Sequence, residues 1–164
     1  KEQRLAELQN AYHAFCGKYL DYTPESLKGL GEFFIQAINT EKLSPEEYAT
    51  KRAECPPEIP IYDYRFTLRS KSIIVDTGIY LGEVMIRNHK NLYWEQNITN
   101  KRDLEHGYMV ISINHNKYAP YINPIWVIDT MGWKVARNTF FPMGIFDLYN
   151  VYCEEVAPEY MPDK

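Results

Sequence analysis

Apolar residues recur along the chain at two different periods. Leu5, Leu8, Tyr12, Phe15 and Tyr19 are spaced 3, 4, 3 and 4 apart, which predicts a helix over about residues 2–20 with one apolar stripe. Thr23-Pro24-Glu25 reads as a helix start, with a capping hydroxyl, a first-turn proline and an acid at the positive end of the helix dipole. Leu27, Leu30, Phe34 and Ile38 continue it. Ser44 followed three residues later by Glu47 is a capping box and predicts a short helix ending before Cys55-Pro56-Pro57. Those prolines, with Pro60, read as a rigid linker. Residues 72–88 set Ile74, Gly78, Leu81, Met85 and Asn88 on one helical row, with Val75, Ile79 and Val84 beside it. Apolar groups on so much of the surface predict a buried helix, despite the β-branched residues that weaken its propensity.

Beyond this helix the period shortens. Residues 61–68 alternate roughly, and are a strand or an extended lead into the central helix. Asn88–Asn91 reads as a turn, 92–96 as the start of a strand and 107–113 as the clearest strand in the chain. The runs 124–130 and 132–137 read as a hairpin or consecutive edge strands around Met131-Gly132. Phe140–Gly144 is a turn, and Asp147–Val156 a closing helix with Leu148, Val151, Tyr152 and Val156 on one side. Helices, then a small mostly antiparallel sheet, then a closing helix give an α+β fold. We read one domain over 1–164: a helical part (1–55), a helix–sheet–helix part (61–156) and a tail (157–164).

Composition narrows the function. At 164 residues the chain has length enough for a core without a metal or disulfide staple. Net charge is −4, which argues against a nucleic-acid partner. No apolar run is long enough to span a membrane. Cys16, Cys55 and Cys153 are scattered and outside any ligand motif, as expected of reduced thiols in a cytoplasmic protein. His13, His89, His106 and His115 show no metal-ligand spacing, and no nucleophile elbow or phosphate loop occurs. Neither metal nor cofactor is expected. Fourteen tyrosines favour half-buried and interface positions.

Glu83 is the sharpest single candidate for chemistry. Its neighbours Leu81 and Val84 are apolar, and a buried acid with a raised pKa is one way to make a general acid. The alternative is structural: acceptance of backbone hydrogen bonds, or a pair with Arg87 four residues on. Gly78, Tyr80, Leu81, Gly82, Glu83 and, after a break, Trp94 form a pattern that resembles a motif of small uncharacterised bacterial domains. There, Leu-Gly-x-Tyr-Leu-Gly-Glu ends a helix and a strand with Trp follows. Thr77 stands here where that motif has Leu. Such domains occur among immunity proteins that neutralise a toxin. The resemblance implies that Gly82-Glu83 marks a helix–strand corner, with Trp94 packed over it. With the acidic balance, the many tyrosines and no catalytic constellation in the sequence, we expect a non-enzymatic binding protein; the resemblance implies that its partner is a protein toxin or effector. Tyr118 and Tyr121 at the sheet rim, with Trp133 and with Glu154 and Glu155 near the end of the last helix, are the expected contacts. The alternatives are a small hydrolase or transferase using Glu83, His106 and His115, and a structural or adaptor subunit.

Overall fold

The central helix of the computed structural model, α4, runs over Leu68–Asn88. The structure describes residues 1–98, 101–114 and 119–156, with the backbone alone for 154–156. The Thr67 hydroxyl caps α4 by accepting from the Ser70 amide at 3.2 Å. Ser70, itself buried, accepts from the Asn39 amide and donates to its carbonyl, which ties the helix start to the chain entering β1. Tyr80, Leu81, Val84 and Met85 are fully buried. Burial of each such side chain contributes roughly 1.5–3 kcal/mol, so the axis of the fold is this helix.

Four helices pack around it. In α1 (Glu2–Cys16), Leu5, Leu8 and Tyr12 are buried, but Phe15 and Tyr19 are exposed. The predicted stripe is cut short because Gly17 takes the left-handed conformation (φ 71°) that ends the helix, its amide bonding the His13 carbonyl. Gln9 then grips the returning chain through both backbone groups of Leu20. Helix α2 (Ser26–Ala37) starts three residues after Thr23, whose turn leads into it, and buries Leu27, Leu30, Phe33 and Phe34. Helix α3 (Pro45–Glu54) carries the complete capping box, Ser44 and Glu47 each bonding the other's amide, and buries nothing.

The sheet is not one sheet. Strands β1 (Thr40–Lys42) and β2 (Tyr64–Phe66) form one antiparallel pair, with Thr40 opposite Phe66. Strands β3 (Leu92–Gln96) and β4 (Met109–Ile113) form another, with Trp94 opposite Ile111. Strand β2 enters α4 and β3 leaves it. A 21-residue helix is about 31 Å long, so the two pairs stand at its opposite ends and cannot share a ladder.

The segment expected as a hairpin is a helix, α5 (Pro124–Ala136). Asn123 caps it by accepting from the Trp126 amide, and Pro124 occupies its first turn. Pro124, Ile128, Met131 and Gly132 are buried at helical spacing. A Cβ at Gly78 would lie 2.6 Å from the Ile125 Cα, and one at Gly132 would lie 3.0 Å from Ile74. Small residues on both helices thus let α4 and α5 approach closely, and this packing overrides the strand propensity of Ile125-Trp126-Val127-Ile128. The last helix starts earlier than expected, as α6 (Gly144–Asn150), and widens into a π turn over Val151–Val156. Among the described residues its buried side chains are Ile145, Tyr149, Tyr152 and Cys153; of the predicted row Tyr152 is buried, Leu148 packs half-buried against the core and Val151 is exposed.

Candidate functional site

The motif on α4 looks in three directions. Gly78 meets the α5 backbone. Tyr80 is fully buried, and its hydroxyl accepts from the Tyr22 amide at 2.8 Å and bonds the Ser26 hydroxyl at 2.8 Å. That anchors the α1–α2 loop, where Tyr22 has φ 63° and stacks on Tyr80 at 4.9 Å. Burial pushes the Tyr80 phenol up to about 12. At Gly82 a Cβ would lie 2.2 Å from the Trp94 ring, so only a glycine lets β3 close onto the helix.

Glu83 lies beside that ring with 8% of its surface exposed. Trp94 Nε1 donates to Glu83 Oε1 at 2.9 Å, Lys1 Nζ lies 2.9 Å from the same oxygen, and Arg87 stands 3.8 Å from Oε2. Burial pushes its carboxyl up, but the Lys1 and Trp94 hydrogen bonds and the two positive charges outweigh it. The net shift is downward, opposite to the expectation for a general acid. Trp94 and the cations hold Glu83 ionised. His106 is half-buried with its Nδ1 unpartnered among the described residues, and no contact joins it to Glu83 there. His115 lies outside the described residues.

A second site opens on another face of the molecule. A cleft of about 970 Å³ is bounded by α4 (Lys71, Ile74, Val75), α5 (Trp126, Asp129, Trp133), β2 and the loop before β4. Trp133 lines it, with its ring tilted against Phe66 at 4.3 Å and stacked on Tyr62 at 5.4 Å. The loop is built around Asp103, which accepts from the Glu105 amide at 2.9 Å, Asn97 at 3.1 Å and the Tyr121 hydroxyl at 2.7 Å. These bonds, the Glu105 amide first, hold the Asp103 carboxyl below its ordinary value. Gly107 closes the loop at φ 87°, with its amide on the Asn97 carbonyl. Leu104 is thereby turned outward, 90% exposed, while Glu105 turns in.

The cleft mixes apolar and charged groups. Leu104, Tyr108, Met109 and Trp126 stand at its rim, all exposed. Burial, then the Asp103 charge, pushes the Glu105 carboxyl up against the pull of Tyr121. Burial likewise raises Asp129, opposed by the Trp133 hydrogen bond and the Lys71 charge. Among the described residues the lining has no histidine, cysteine, serine or threonine. Nor do the described residues gather three His, Cys, Asp or Glu side chains that could hold a metal.

Of the contacts expected from sequence, Trp133 lines the cleft and Tyr121 lines an adjoining hollow that shares Leu104, Glu105, Asn123 and Trp126 with it. Tyr118 lies outside the described residues, as do the side chains of Glu154 and Glu155. Sequence reasoning missed Leu104, Glu105, Met109, Trp126 and Asp129. The available signal was Asn123-Pro124, a helix start that puts Trp126, Asp129 and Trp133 on successive turns of one face. No described helix is long and apolar enough to cross a membrane. Compared with known proteins, the chain matches no family model, no curated protein and no solved structure.

Proposed function

We propose that this chain is a non-enzymatic binding protein that holds a protein ligand at the α4–α5 cleft. The observation that carries the reading is one rim of large apolar side chains in water: Leu104 is 90% exposed, Tyr108 59%, Trp126 57% and Met109 46%. Single apolar residues are normal on a soluble surface, but a contiguous group beside a cleft marks a contact site. Tryptophan, tyrosine and methionine are the types enriched where proteins meet. The donors around Glu83 favour binding over catalysis, because a carboxylate so held is a poor proton donor near neutral pH.

The partner is read from the resemblance of Gly78–Glu83 and Trp94 to the motif of bacterial immunity proteins. On that reading the ligand is a toxin, met in the cytoplasm and neutralised by being covered. Co-expression in a bacterial host with the product of the adjacent open reading frame tests this. We expect growth arrest by that product, relief by this chain, and no relief by Trp126→Ser. Relief by Trp126→Ser equal to the wild type would remove the cleft from the function. Failure of the wild-type chain to relieve the arrest would remove the toxin.

A further inference from the structure

The charges of the cleft are compensated at one end and not at the other. At the β2 end Arg65 is already paired, with Glu41 at 2.7 Å and Glu47 at 2.6 Å. Lys51 donates to the Tyr62 carbonyl at 3.4 Å. At the loop end Glu105 is 8% exposed, and among the described residues no Lys, Arg or His stands within ion-pair distance of it. Tyr121 draws the Glu105 carboxyl down, but its hydroxyl proton is directed to Asp103 at 2.7 Å. Trp133 and the Lys71 charge draw the Asp129 carboxyl down, again with no ion pair among the described residues. Burial pushes both carboxyls up, Glu105 with no cation among its influences and Asp129 against the through-space pull of Lys71 alone. A buried carboxylate is normally paired.

We infer that the cleft takes a protein segment carrying a lysine or arginine between apolar neighbours, with the cationic head against Glu105 and Asp129 and the apolar groups on Leu104, Met109 and Trp126. The inference rests on the reading of this cleft as the contact surface. A long basic side chain suits the geometry because its methylene stem can lie along apolar surface while its head reaches the acids. Trp126, 57% exposed on the same cleft, is the residue type that attracts such a cation best. An acidic segment would meet Glu105 and Asp129, with Lys71 as the sole cleft cation not already paired or bonded to backbone among the described residues.

The probe is a displayed library of random twelve-residue peptides, selected on the wild-type protein. Each enriched peptide is then measured by fluorescence anisotropy on wild type, on Trp126→Ser and on Glu105→Gln/Asp129→Asn. Expected are peptides rich in Arg or Lys next to Leu, Phe or Trp, whose binding is lost on Trp126→Ser. Replacing the basic residue by uncharged citrulline or norleucine should weaken binding to wild type roughly tenfold, the scale of a hydrogen bond to a charged group. It should change binding to the double variant little. Trp126-dependent peptides that are acidic or uncharged, or that tolerate the neutral replacement, would overturn the inference and leave the cleft as a contact surface. Enriched peptides indifferent to Trp126, or no enrichment at all, would overturn both.

Discussion

Glu83 and Glu105 are two carboxylates of equal burial, each 8% exposed, and they titrate in opposite directions. Both feel burial as their largest influence, and burial alone pushes a carboxyl up. Around Glu83, Lys1, Trp94 and Arg87 more than reverse it. Around Glu105 the charge that acts is the like charge of Asp103, with no ion pair among the described residues, and the Tyr121 hydroxyl is directed to Asp103. Burial by itself therefore does not mark a functional acid. What separates the two sites is whether the fold supplies the partners. The α4–β3 corner is closed by its own residues. In the cleft no ion pair among the described residues meets Glu105 or Asp129, and the apolar rim stands in water.

The largest effect is expected where the corner and the α4–α5 crossing have no slack. Gly78→Ala places a Cβ 2.6 Å from the Ile125 backbone, so one of the helices must shift. We expect a loss of about 2–3 kcal/mol in urea unfolding. A loss under half a kilocalorie would show that α4 and α5 are not held as tightly as described. Next, Glu83→Gln should cost about 1–2 kcal/mol near neutral pH, since it exchanges charge-assisted bonds for neutral ones. Its lowered folded pKa sets the pH window. The stabilisation is complete above the ordinary value of 4.5 and is lost as pH falls through the lower folded value. Melting curves of the two proteins should thus converge in acid, and an equal gap at all pH would contradict the pairing.

The cleft should give the reverse sign. Glu105 and Asp129 have folded values above their ordinary 4.5 and 3.8, so the folded state favours the protonated acids. Their relative stabilisation is full below those ordinary values and is lost as pH rises through the folded ones. Glu105→Gln with Asp129→Asn should accordingly raise the melting temperature at pH 7 and leave it unchanged in strong acid. A fall at pH 7 would mean that a cation already satisfies these groups.

How much of this could be seen in the sequence follows from the range of each interaction. The capping box at Ser44 and Glu47 spans three residues, and it formed as read. The α4 periodicity needs only the helix's own residues, and its buried face was legible. Helix α5 was not, because its β-branched run matches a strand as well as a buried helix; Asn123-Pro124 decided it. The division of the sheet depends on the length of α4 between β2 and β3, a fact of geometry with no local signal. The Trp94 contact was implied by the motif, but the lowered pKa of Glu83 owes most to Lys1, 82 residues away. Leu104 and Glu105 lie in a polar stretch without period, and Asp103 orders it through bonds that reach to Asn97 and Tyr121.

The smallest stability change belongs to the variant with the largest functional one. Trp126 is 57% exposed and packs on solvent, so Trp126→Ser should leave the unfolding free energy within about 0.5 kcal/mol of wild type. Measured together, unfolding and relief of growth arrest in Trp126→Ser and Glu83→Gln test the division between corner and cleft most directly. We predict a stable Trp126→Ser that no longer protects and a destabilised Glu83→Gln that still does. A stable Glu83→Gln without protection, beside a Trp126→Ser that protects as the wild type does, would reverse the assignment of the two sites.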